Sequence, residues 1–237
     1  MSGPSLRARV RAEMIEEIKA AARKRLAVDG PALSLRGVAR DMGIVASALY
    51  RYFPSRDDLL TALLLEGYEN LGAAATTAAT ARPASDHRGR WLAVCTAVRD
   101  WAIAHPAEYG LLYGSPVPGY RAPQDTVAPA ATVVLLLADI ATAAALDGRL
   151  TPPPLPSPLP APVRADLRTL IEQRPTAAPA DLPEETLDRV FAAWTQLFGL
   201  ITFEIFGRLE GTVTARAEYF DHHMNLMADL IGLPAQP

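Results

Sequence analysis

The stretch LSLRGVARDMGIVASALYRYFPSRDDLL, residues 33–60 of the 237-residue chain, decides the fold of the N-terminal region. Ser34 is a favoured N-cap residue, and apolar residues follow it at helical spacing, so the pattern predicts a short helix that ends at Gly43. Glycine tolerates the positive φ of a turn, and a second short helix is predicted from Ala46 to Phe53, where Pro54 ends it. Two short helices joined by a three-residue, glycine-containing turn form a helix-turn-helix.

The sequence on either side of this motif predicts two flanking helices. Apolar residues every three to four positions indicate a first helix over 6–28, which the sequence DGP at 29–31 ends. Ser55 is expected to cap a fourth helix that continues towards residue 79, with Asp57 and Asp58 favourably placed in its first turn. The predicted shared core of the motif consists of Val38, Ala39, Leu49 and Phe53.

Almost every other periodic stretch also indicates a helix, because alanine and leucine are abundant and strand-like alternation is missing. The predicted fold class is therefore all-α, with an N-terminal helix-turn-helix domain at 1–56 and a larger helical domain at 57–237, linked by the fourth helix. The proline-rich stretch 151–162, TPPPLPSPLPAP, suits a surface spacer better than a ligand for another protein. Further helices are predicted near 90–105, 106–113, 124–147, 163–173, 183–207 and 214–231.

The charge of the chain is unevenly distributed. The net charge is −3, but residues 1–60 hold eleven Lys/Arg against seven Asp/Glu, a balance of +4, and the remainder carries −7. A basic end can meet the phosphates of a nucleic acid, while an acidic remainder should stay away from them. Charge alone also allows the simpler interpretation of a solvated helix surface.

The residue types that carry catalysis or bind metals are sparse. Cys95 is the only cysteine, which rules out an intrachain disulfide and suits a reducing cytoplasm. His105 and the adjacent pair His222 and His223 show no zinc-ligand pattern, and neither a nucleophile–base pair nor a phosphate loop is found. We therefore expect no enzymatic activity, no metal and no cofactor.

One stretch, residues 127–146, approaches the length of a membrane span. Pro129 and Asp139 interrupt it and alanine dominates the rest, so a buried helix is the better interpretation. The N-terminus places acidic residues where a signal peptide needs an apolar core. We expect a cytoplasmic protein that does not contact a membrane.

The string ALYRYFPSRDDLL, within residues 33–60, closely resembles the DNA-binding region of the tetracycline-repressor (TetR) family of bacterial regulators. The resemblance covers about the first 65 residues. It implies that Arg36 touches phosphate or a groove base, and that Tyr50 and Tyr52 contact phosphates. Arg56, which stands where the family usually has Lys, is expected to anchor another phosphate. The implied DNA-binding set is Ser34, Arg36, Ala46, Ser47, Ala48, Tyr50, Arg51, Tyr52 and Arg56.

Two features of this motif depart from the family pattern. Val45 stands where a Ser or Thr usually caps the recognition helix, and a lost cap costs about 1 kcal/mol. Ala46 and Ala48 offer no side-chain hydrogen bonds, so direct base readout would depend on Ser47 and Arg51, with Arg36 as a further candidate, while either alanine can pack on a thymine methyl.

The C-terminal part resembles one branch of the same family, which carries Trp, His and Gly in a late helix, through AHPAEYGLLYG at 104–114 and WTQLFGLITFEIFG at 194–207. Phe198 replaces the His of many members. The resemblance implies a small-molecule pocket in this domain, although for any single aromatic residue ordinary core packing is the favoured interpretation. The candidate ligand-binding residues are Trp101, Tyr109, Leu112, Tyr113, Leu137, Trp194 and Phe198.

The last two helices carry long apolar stripes, which can be used in the internal core or can pair with a two-fold copy into a four-helix bundle. Family resemblance favours dimerisation, with candidate interface residues Phe191, Ile201, Ile205, Phe220, Met224 and Met227. The resulting hypothesis is a ligand-responsive homodimeric repressor that binds a palindromic double-stranded DNA operator. An activator of the same family and a helical small-molecule-binding protein without DNA function are the alternatives.

Overall fold

The computed structural model of the chain describes residues 5–151, 158–172 and 182–235, and all regular structure in these ranges is helical. Two short 3₁₀ helices, Gly30–Ala32 and Gln124–Thr126, accompany the α-helices. The α-helices are α1 (Leu6–Asp29), α2 (Leu35–Asp41), α3 (Ala46–Leu49), α4 (Arg56–Thr80), α5 (His87–Ala104), α6 (Pro106–Tyr113), α7 (Val127–Leu146), α8 (Ala161–Glu172), α9 (Glu184–Ile205) and α10 (Arg216–Ile231). The predicted all-α fold class is confirmed.

The chain divides into two compact units that do not follow one cut in the sequence. The first unit contains Met1–Asn70 together with Ala104–Ala130, and the second contains Leu71–Ile103 together with Ala131–Pro237. Helix α4 and helix α7 each begin in the first unit and end in the second. The segment Ala104–Ala130, which includes α6, therefore belongs with the N-terminal helices.

Local sequence signals set most helix ends. The Ser5 hydroxyl accepts a hydrogen bond from the Ala8 amide at the start of α1, and Gly30, with φ of +52°, follows its end. The Ser34 hydroxyl caps α2, as predicted. Helix α3 ends at Leu49, four residues earlier than predicted. The Arg51 and Tyr52 amides donate to carbonyls three residues back, at 3.3 and 2.9 Å, and Pro54 disfavours a helical conformation for the residue before it.

The core of the first unit is built around the four residues predicted for it, which are all buried. Ile18 and Ala22 of α1 and Leu59, Leu60 and Leu63 of α4 belong to the same core. Segment Ala104–Ala130 adds to the same core, since Val117 is buried in it and Leu111 and Tyr120 pack against it. The Tyr120 hydroxyl lies 2.9 Å from that of Thr61 on α4.

The second unit has its own core, in which α9 packs on α10. Arg99 of α5 forms a two-pronged ion pair with Glu204 of α9, at 2.7 and 2.6 Å, and its guanidinium lies over the ring of Phe220. The indole nitrogen of Trp91 donates to the Met224 carbonyl at 3.4 Å. Half of the proline-rich stretch, residues 152–157, and residue 173 of the predicted short helix lie outside the described residues.

Helix α7 and the turn before it, Gln124–Leu146, form a stretch long and apolar enough to cross a membrane, with a mean hydropathy of 1.9. Most residues in the second half of α7 are buried, including Leu137 and Ile140 at 0% exposure, while Leu146 at its end is exposed. A core helix meets the same length and composition criteria, so this stretch is weak evidence for a membrane span.

Candidate nucleic-acid interface

The α2–turn–α3 unit is held by hydrogen bonds that follow directly from its sequence. The Ser34 hydroxyl accepts from the Gly37 amide at 3.2 Å, so its role in the structure is to cap α2. Gly43 has φ of +68°, the left-handed conformation that favours glycine, and lets the chain turn. The Ile44 amide then donates to the Ala39 carbonyl at 3.0 Å, which closes the end of α2 onto the turn.

Arg25 fixes α2 against α1. One guanidinium nitrogen donates to both carboxylate oxygens of Asp41, at 2.9 and 2.7 Å, and Nε lies 2.8 Å from Asp29. The hydrogen bond with Asp41 raises the pKa of Arg25, so the side chain stays charged. Gly37 makes room for this arrangement, because a Cβ at that position would lie 2.4 Å from Arg25 Nε.

The outer surface of the motif presents small and polar groups around α3. Ser47 and Arg51 are exposed, Tyr50 is 43% exposed, and Ala46 and Ala48 are half-buried beside them. This is the combination of close approach and hydrogen-bonding groups that base-edge contact requires.

The N-terminus of α3 differs from those of α2 and α4. Val45 is 70% exposed and provides no side-chain cap within the described part of the chain. The predicted absence of a cap at this helix is confirmed. At α4, by contrast, the Ser55 hydroxyl accepts from the Asp58 amide at 3.1 Å, and the Asp58 carboxylate accepts from the Ser55 amide at 2.9 Å.

Arg11 of α1 reaches the same surface, which the sequence interpretation had not foreseen. Its guanidinium lies 5.2 Å from the centre of the Tyr52 ring and donates to the Arg51 carbonyl at 3.4 Å. The excess of basic residues near the N-terminus was the available signal, but the separation of about forty residues concealed which one would reach the motif. Arg11 brings positive charge beside the proposed base-reading side chain.

Arg56 has a structural contact as well as a position near this surface. Its Nε donates to the Leu33 carbonyl at 3.0 Å, which ties the start of α4 to the connection before α2. Arg36 is exposed on α2. The predicted DNA-binding residues are therefore all in the first unit, within the helix-turn-helix and at the start of α4.

The candidate ligand-binding residues are divided between the two units. Tyr109 and Tyr113 lie in the first, with ring centres 5.2 Å apart, and Tyr68 of α4, which the sequence interpretation missed, packs edge-on against Tyr113 at 6.0 Å. Burial raises the pKa values of Tyr68 and Tyr113. Leu112 belongs to this cluster as well, since its carbonyl accepts from the Tyr68 hydroxyl at 3.4 Å.

The other four candidates lie in the second unit. Trp194 stacks edge-on between Phe191 and Phe198, at 5.9 and 5.8 Å. Leu137 is fully buried and Trp101 is half-buried.

Known protein families match both parts of the chain. The profile described as bacterial regulatory proteins, tetR family, matches residues 18–63, which include α2 and α3. The profile described as tetracyclin repressor-like, C-terminal domain, matches residues 91–227, more than half of the chain.

Individual relatives agree with these matches. The chain is 37% identical over 186 residues to the HTH-type transcriptional regulator Rv1816 of Mycobacterium tuberculosis (strain ATCC 25618 / H37Rv), which covers 74% of this chain and 73% of that protein. The HTH-type transcriptional regulator Mb1846 of Mycobacterium bovis (strain ATCC BAA-935 / AF2122/97) matches with the same values. The crystal structure of a regulatory protein, SCO4313, has a TM-score of 0.73 at 29% identity and covers 96% of this chain and 100% of that one.

A bacterial regulatory protein in the tetR family from Rhodococcus RHA1 shares the fold, with a TM-score of 0.63 at 18% identity over 93% of this chain and 98% of that one. The resemblance first identified in residues 33–60 thus extends through both parts of the chain. The chain belongs to the tetR family of bacterial regulatory proteins and is a DNA-binding transcriptional regulator.

Proposed function

We propose that this regulator is a homodimeric, ligand-responsive repressor that acts in the cytoplasm on a roughly palindromic operator. The observation that carries the proposal is the surface around α3, where Ser47 and Arg51 are exposed and Arg11 lies against Tyr52. A repressor requires that operator binding block transcription, and an activator would present the same surface. Expression of a reporter gene placed behind the operator distinguishes the two, because a repressor lowers this expression and an activator raises it.

Base reading is assigned to Arg51, since its side chain is exposed and can donate in a bidentate manner to a guanine. Arg51→Ala should lower operator affinity by about 1–3 kcal/mol and relax the preference at one base pair per half-site. Arg40→Ala is the matched control for a lost charge, because Arg40 is an exposed arginine of α2 outside the implied DNA-binding set. An Arg51→Ala variant with unchanged affinity and unchanged sequence preference would show that this assignment is wrong.

Phosphate contact is assigned to the tyrosines and to Arg56. Because Arg56 Nε also donates to the Leu33 carbonyl, Arg56→Ala would remove a structural bond together with the charge. Arg56→Gln keeps a hydrogen-bonding side chain of similar reach, so it is the better test. It should weaken operator and unrelated DNA equally and reduce the slope of log affinity against log salt by about one.

The homodimer is proposed to form through α9 and α10, but not through all of the residues first chosen. Ile201, Phe220 and Met224 are 0%, 3% and 1% exposed within one chain, so they can contribute little area to a partner. The proposed interface therefore moves to the exposed side of the two helices. Phe191, Ile205 and Met227 remain candidates at its edge, being half-buried.

A two-fold dimer should place two α3 helices in successive major grooves, with half-site centres about 34–36 Å apart or a multiple of that. Family members form dimers, which supports this arrangement for the chain. Footprinting should show two protected half-sites on one face of the duplex. Light scattering that finds only monomer at micromolar concentration contradicts the homodimer.

The proposed effector is an apolar or aromatic small molecule that binds at one of two clusters of aromatic residues, one in each unit, and releases DNA. The tyrosine cluster around Tyr113 and the cluster around Trp194 are its two candidate positions. The chain passes between its two units within α4, at the α5–α6 junction and within α7, so a change in either unit is linked to the other by three covalent connections.

A ligand releases DNA only if it binds the conformation that cannot bind DNA more tightly than the DNA-bound conformation, and such couplings are typically about 1–3 kcal/mol. Thermodynamic linkage requires that saturating operator weaken ligand binding by the same factor by which the ligand weakens operator binding. Titration against tryptophan fluorescence, with and without operator, measures both affinities. Trp194→Phe and Tyr113→Phe then distinguish the two positions, and equal ligand affinity in the two titrations would exclude that ligand as the effector.

A further inference from the structure

The recognition helix α3 is too short to fix its own direction. It comprises the 4 residues Ala46–Leu49, and no side-chain cap at its start is found in the described part of the chain. A single helical turn has little stability of its own, because its formation restrains several residues for one hydrogen bond. The position of α3 and of the residues after it therefore depends on contacts with the neighbouring helices.

The residue assigned to base reading lies beyond the last residue of this helix. Arg51 belongs to the turn after α3, in which its amide donates to the Ala48 carbonyl at 3.3 Å and the Tyr52 amide donates to the Leu49 carbonyl at 2.9 Å. The backbone of this turn sets the direction in which the Arg51 side chain leaves the surface. A recognition group has to be held close to its productive geometry by supporting contacts, so the contacts of this turn matter for base reading.

One side chain from α1 contacts two consecutive residues of this turn. The Arg11 guanidinium lies 5.2 Å from the centre of the Tyr52 ring, and its Nη2 donates to the Arg51 carbonyl at 3.4 Å. A guanidinium can lie over an aromatic face and still donate hydrogen bonds from its edge, because it is planar and carries several N–H groups. Arg11 therefore holds the ring of Tyr52 and the backbone of Arg51 at the same time.

Helix α1 gives Arg11 a firm support. Glu66 of α4 lies 3.3 Å from the Lys19 ammonium and 2.6 Å from the Arg23 guanidinium, which fixes α1 on α4. Residues 6–13 at the start of α1 are nevertheless exposed at every position. A substitution at Arg11 therefore changes contacts at the surface of the motif without removing core packing.

We infer that Arg11 is a positioning residue for sequence recognition, which holds the turn after α3 so that Arg51 meets its base pair. It acts through the Tyr52 ring and not through a phosphate of its own. This inference rests on the proposed base reading by Arg51 and adds the residue that orients it. A cation–π contact at an exposed site changes a population about two- to fivefold. Arg11 can change recognition only by about this factor, because a positioning contact acts through the fraction of molecules in the competent arrangement.

Sequence preference separates this role from a phosphate contact. Loss of a phosphate contact weakens binding to all sequences about equally, whereas loss of positioning lowers the preference at the base pair that Arg51 reads. That base pair is the one at which Arg51→Ala relaxes the preference. Arg11→Gln should lower the ratio of the affinity for the operator to the affinity for an operator changed at this base pair, by about two- to fivefold.

Arg7→Gln is the matched control for the lost charge. Arg7 is exposed one helical turn before Arg11 on the same side of α1, so its substitution removes the same charge from a neighbouring position. Arg7→Gln should leave the ratio of the two affinities unchanged, and both variants should keep the helix content of the wild type in circular dichroism. An Arg11→Gln variant that binds every sequence more weakly by one factor would show that Arg11 is a phosphate contact and would overturn the inference.

Two variants of Tyr52 show whether Arg11 acts through the ring. Tyr52→Phe keeps the aromatic face and removes only the hydroxyl, while Tyr52→Leu removes the face as well. Added to Tyr52→Phe, Arg11→Gln should still lower the ratio of affinities by its full factor. Added to Tyr52→Leu, it should lower this ratio little further. Equal effects of Arg11→Gln in the two backgrounds would overturn the role of the ring.

A measurement without DNA tests the contact apart from base reading. In NMR spectra of the full chain, the ring current of Tyr52 should shift the side-chain protons of Arg11 upfield, and this shift should persist in Tyr52→Phe and vanish in Tyr52→Leu. Absence of the shift in the wild type would overturn the positioning contact, whatever the result for Arg51→Ala. If the shift is present and Arg51→Ala leaves the sequence preference unchanged, the proposed base reading fails, and the positioning role of Arg11 fails with it.

Discussion

The recognition helix α3 lacks a side-chain cap, and restoring one should stabilise the protein measurably. Val45 has the extended backbone of an N-cap residue, with φ of −69° and ψ of 138°. Val45→Thr replaces one methyl group by a hydroxyl of almost the same size. That hydroxyl can accept a hydrogen bond from an amide in the first turn of α3, as the Ser34 hydroxyl does from Gly37 in α2.

The expected gain can be bounded from the structure. A cap contributes about 0.5–2 kcal/mol. The Ala48 amide already donates to the Val45 carbonyl at 2.9 Å, so the threonine hydroxyl would share a donor that already has a hydrogen bond. We therefore expect a gain in the lower half of that range, about 1 kcal/mol. Val45 is 70% exposed, so the loss of one methyl costs little burial. About 1 kcal/mol corresponds to a rise of about 2–4 °C in Tm for a chain of this length.

Thermal unfolding without DNA measures this effect apart from any new contact with phosphate. Val45→Ala is the control, since it removes the side chain and provides no acceptor, and it should give a Tm at or below that of the wild type. Hydrogen exchange should slow at Ser47 and Ala48 only in Val45→Thr. A Tm for Val45→Thr no higher than that of Val45→Ala would show that the first amides of α3 are already satisfied.

Three further outcomes follow from buried groups. Tyr120→Phe removes the hydrogen bond to Thr61 and should lower the free energy of unfolding by about 1 kcal/mol, measured by denaturant titration; no change would mean that water satisfies the Thr61 hydroxyl equally well. Burial raises the pKa of the Cys95 thiol, so alkylation should occur only as fast as the second unit opens, and rapid alkylation of the native protein would contradict its burial. Burial also raises the pKa of Tyr113, so the folded protein keeps the proton on this side chain at a pH where the unfolded chain loses it. The stabilisation from this group should be fully present below about pH 10 and should be lost as the pH rises further. The free energy of unfolding of Tyr113→Phe should therefore decrease less steeply with pH than that of the wild type.

Features that depend on a few neighbouring residues could be predicted from the sequence. The caps at Ser34 and Ser55 and the turn at Gly43 each involve groups within about four positions, so the residue types were sufficient evidence. The four core residues of the helix-turn-helix followed from periodicity for the same reason. The end of α3 was placed too late because a run of helix-compatible residues does not reveal a tight final turn before proline.

Features that join distant residues could not be predicted in this way. The contact of Arg25 with Asp41 spans 16 positions, and that of Arg11 with the Arg51 carbonyl spans 40. A run of apolar residues along a helix also does not show which of them face the core of the chain and which remain exposed. Ile201 and Phe203 are two residues apart on one helix, yet the first is buried in the chain and the second is 52% exposed. Only the packing of α9 on α10 separates the two sides.

The division of the chain into units changes how the DNA-binding part should be understood. Its core includes Val117 and is flanked by Leu111 and Tyr120, which come from a segment that begins more than thirty residues after the first unit is left at Asn70. The chain enters this segment at the end of α5 and leaves it within α7, and the greater part of each of these two helices belongs to the second unit. A ligand that strains those helices therefore does not have to act through α4 alone. A change in the position of Tyr120 would alter the packing and the Thr61 hydrogen bond near the start of α4, three residues after Asp58 in the first turn of that helix. Loss of one such hydrogen bond changes the free energy by about 1 kcal/mol, which lies within the range of typical allosteric couplings.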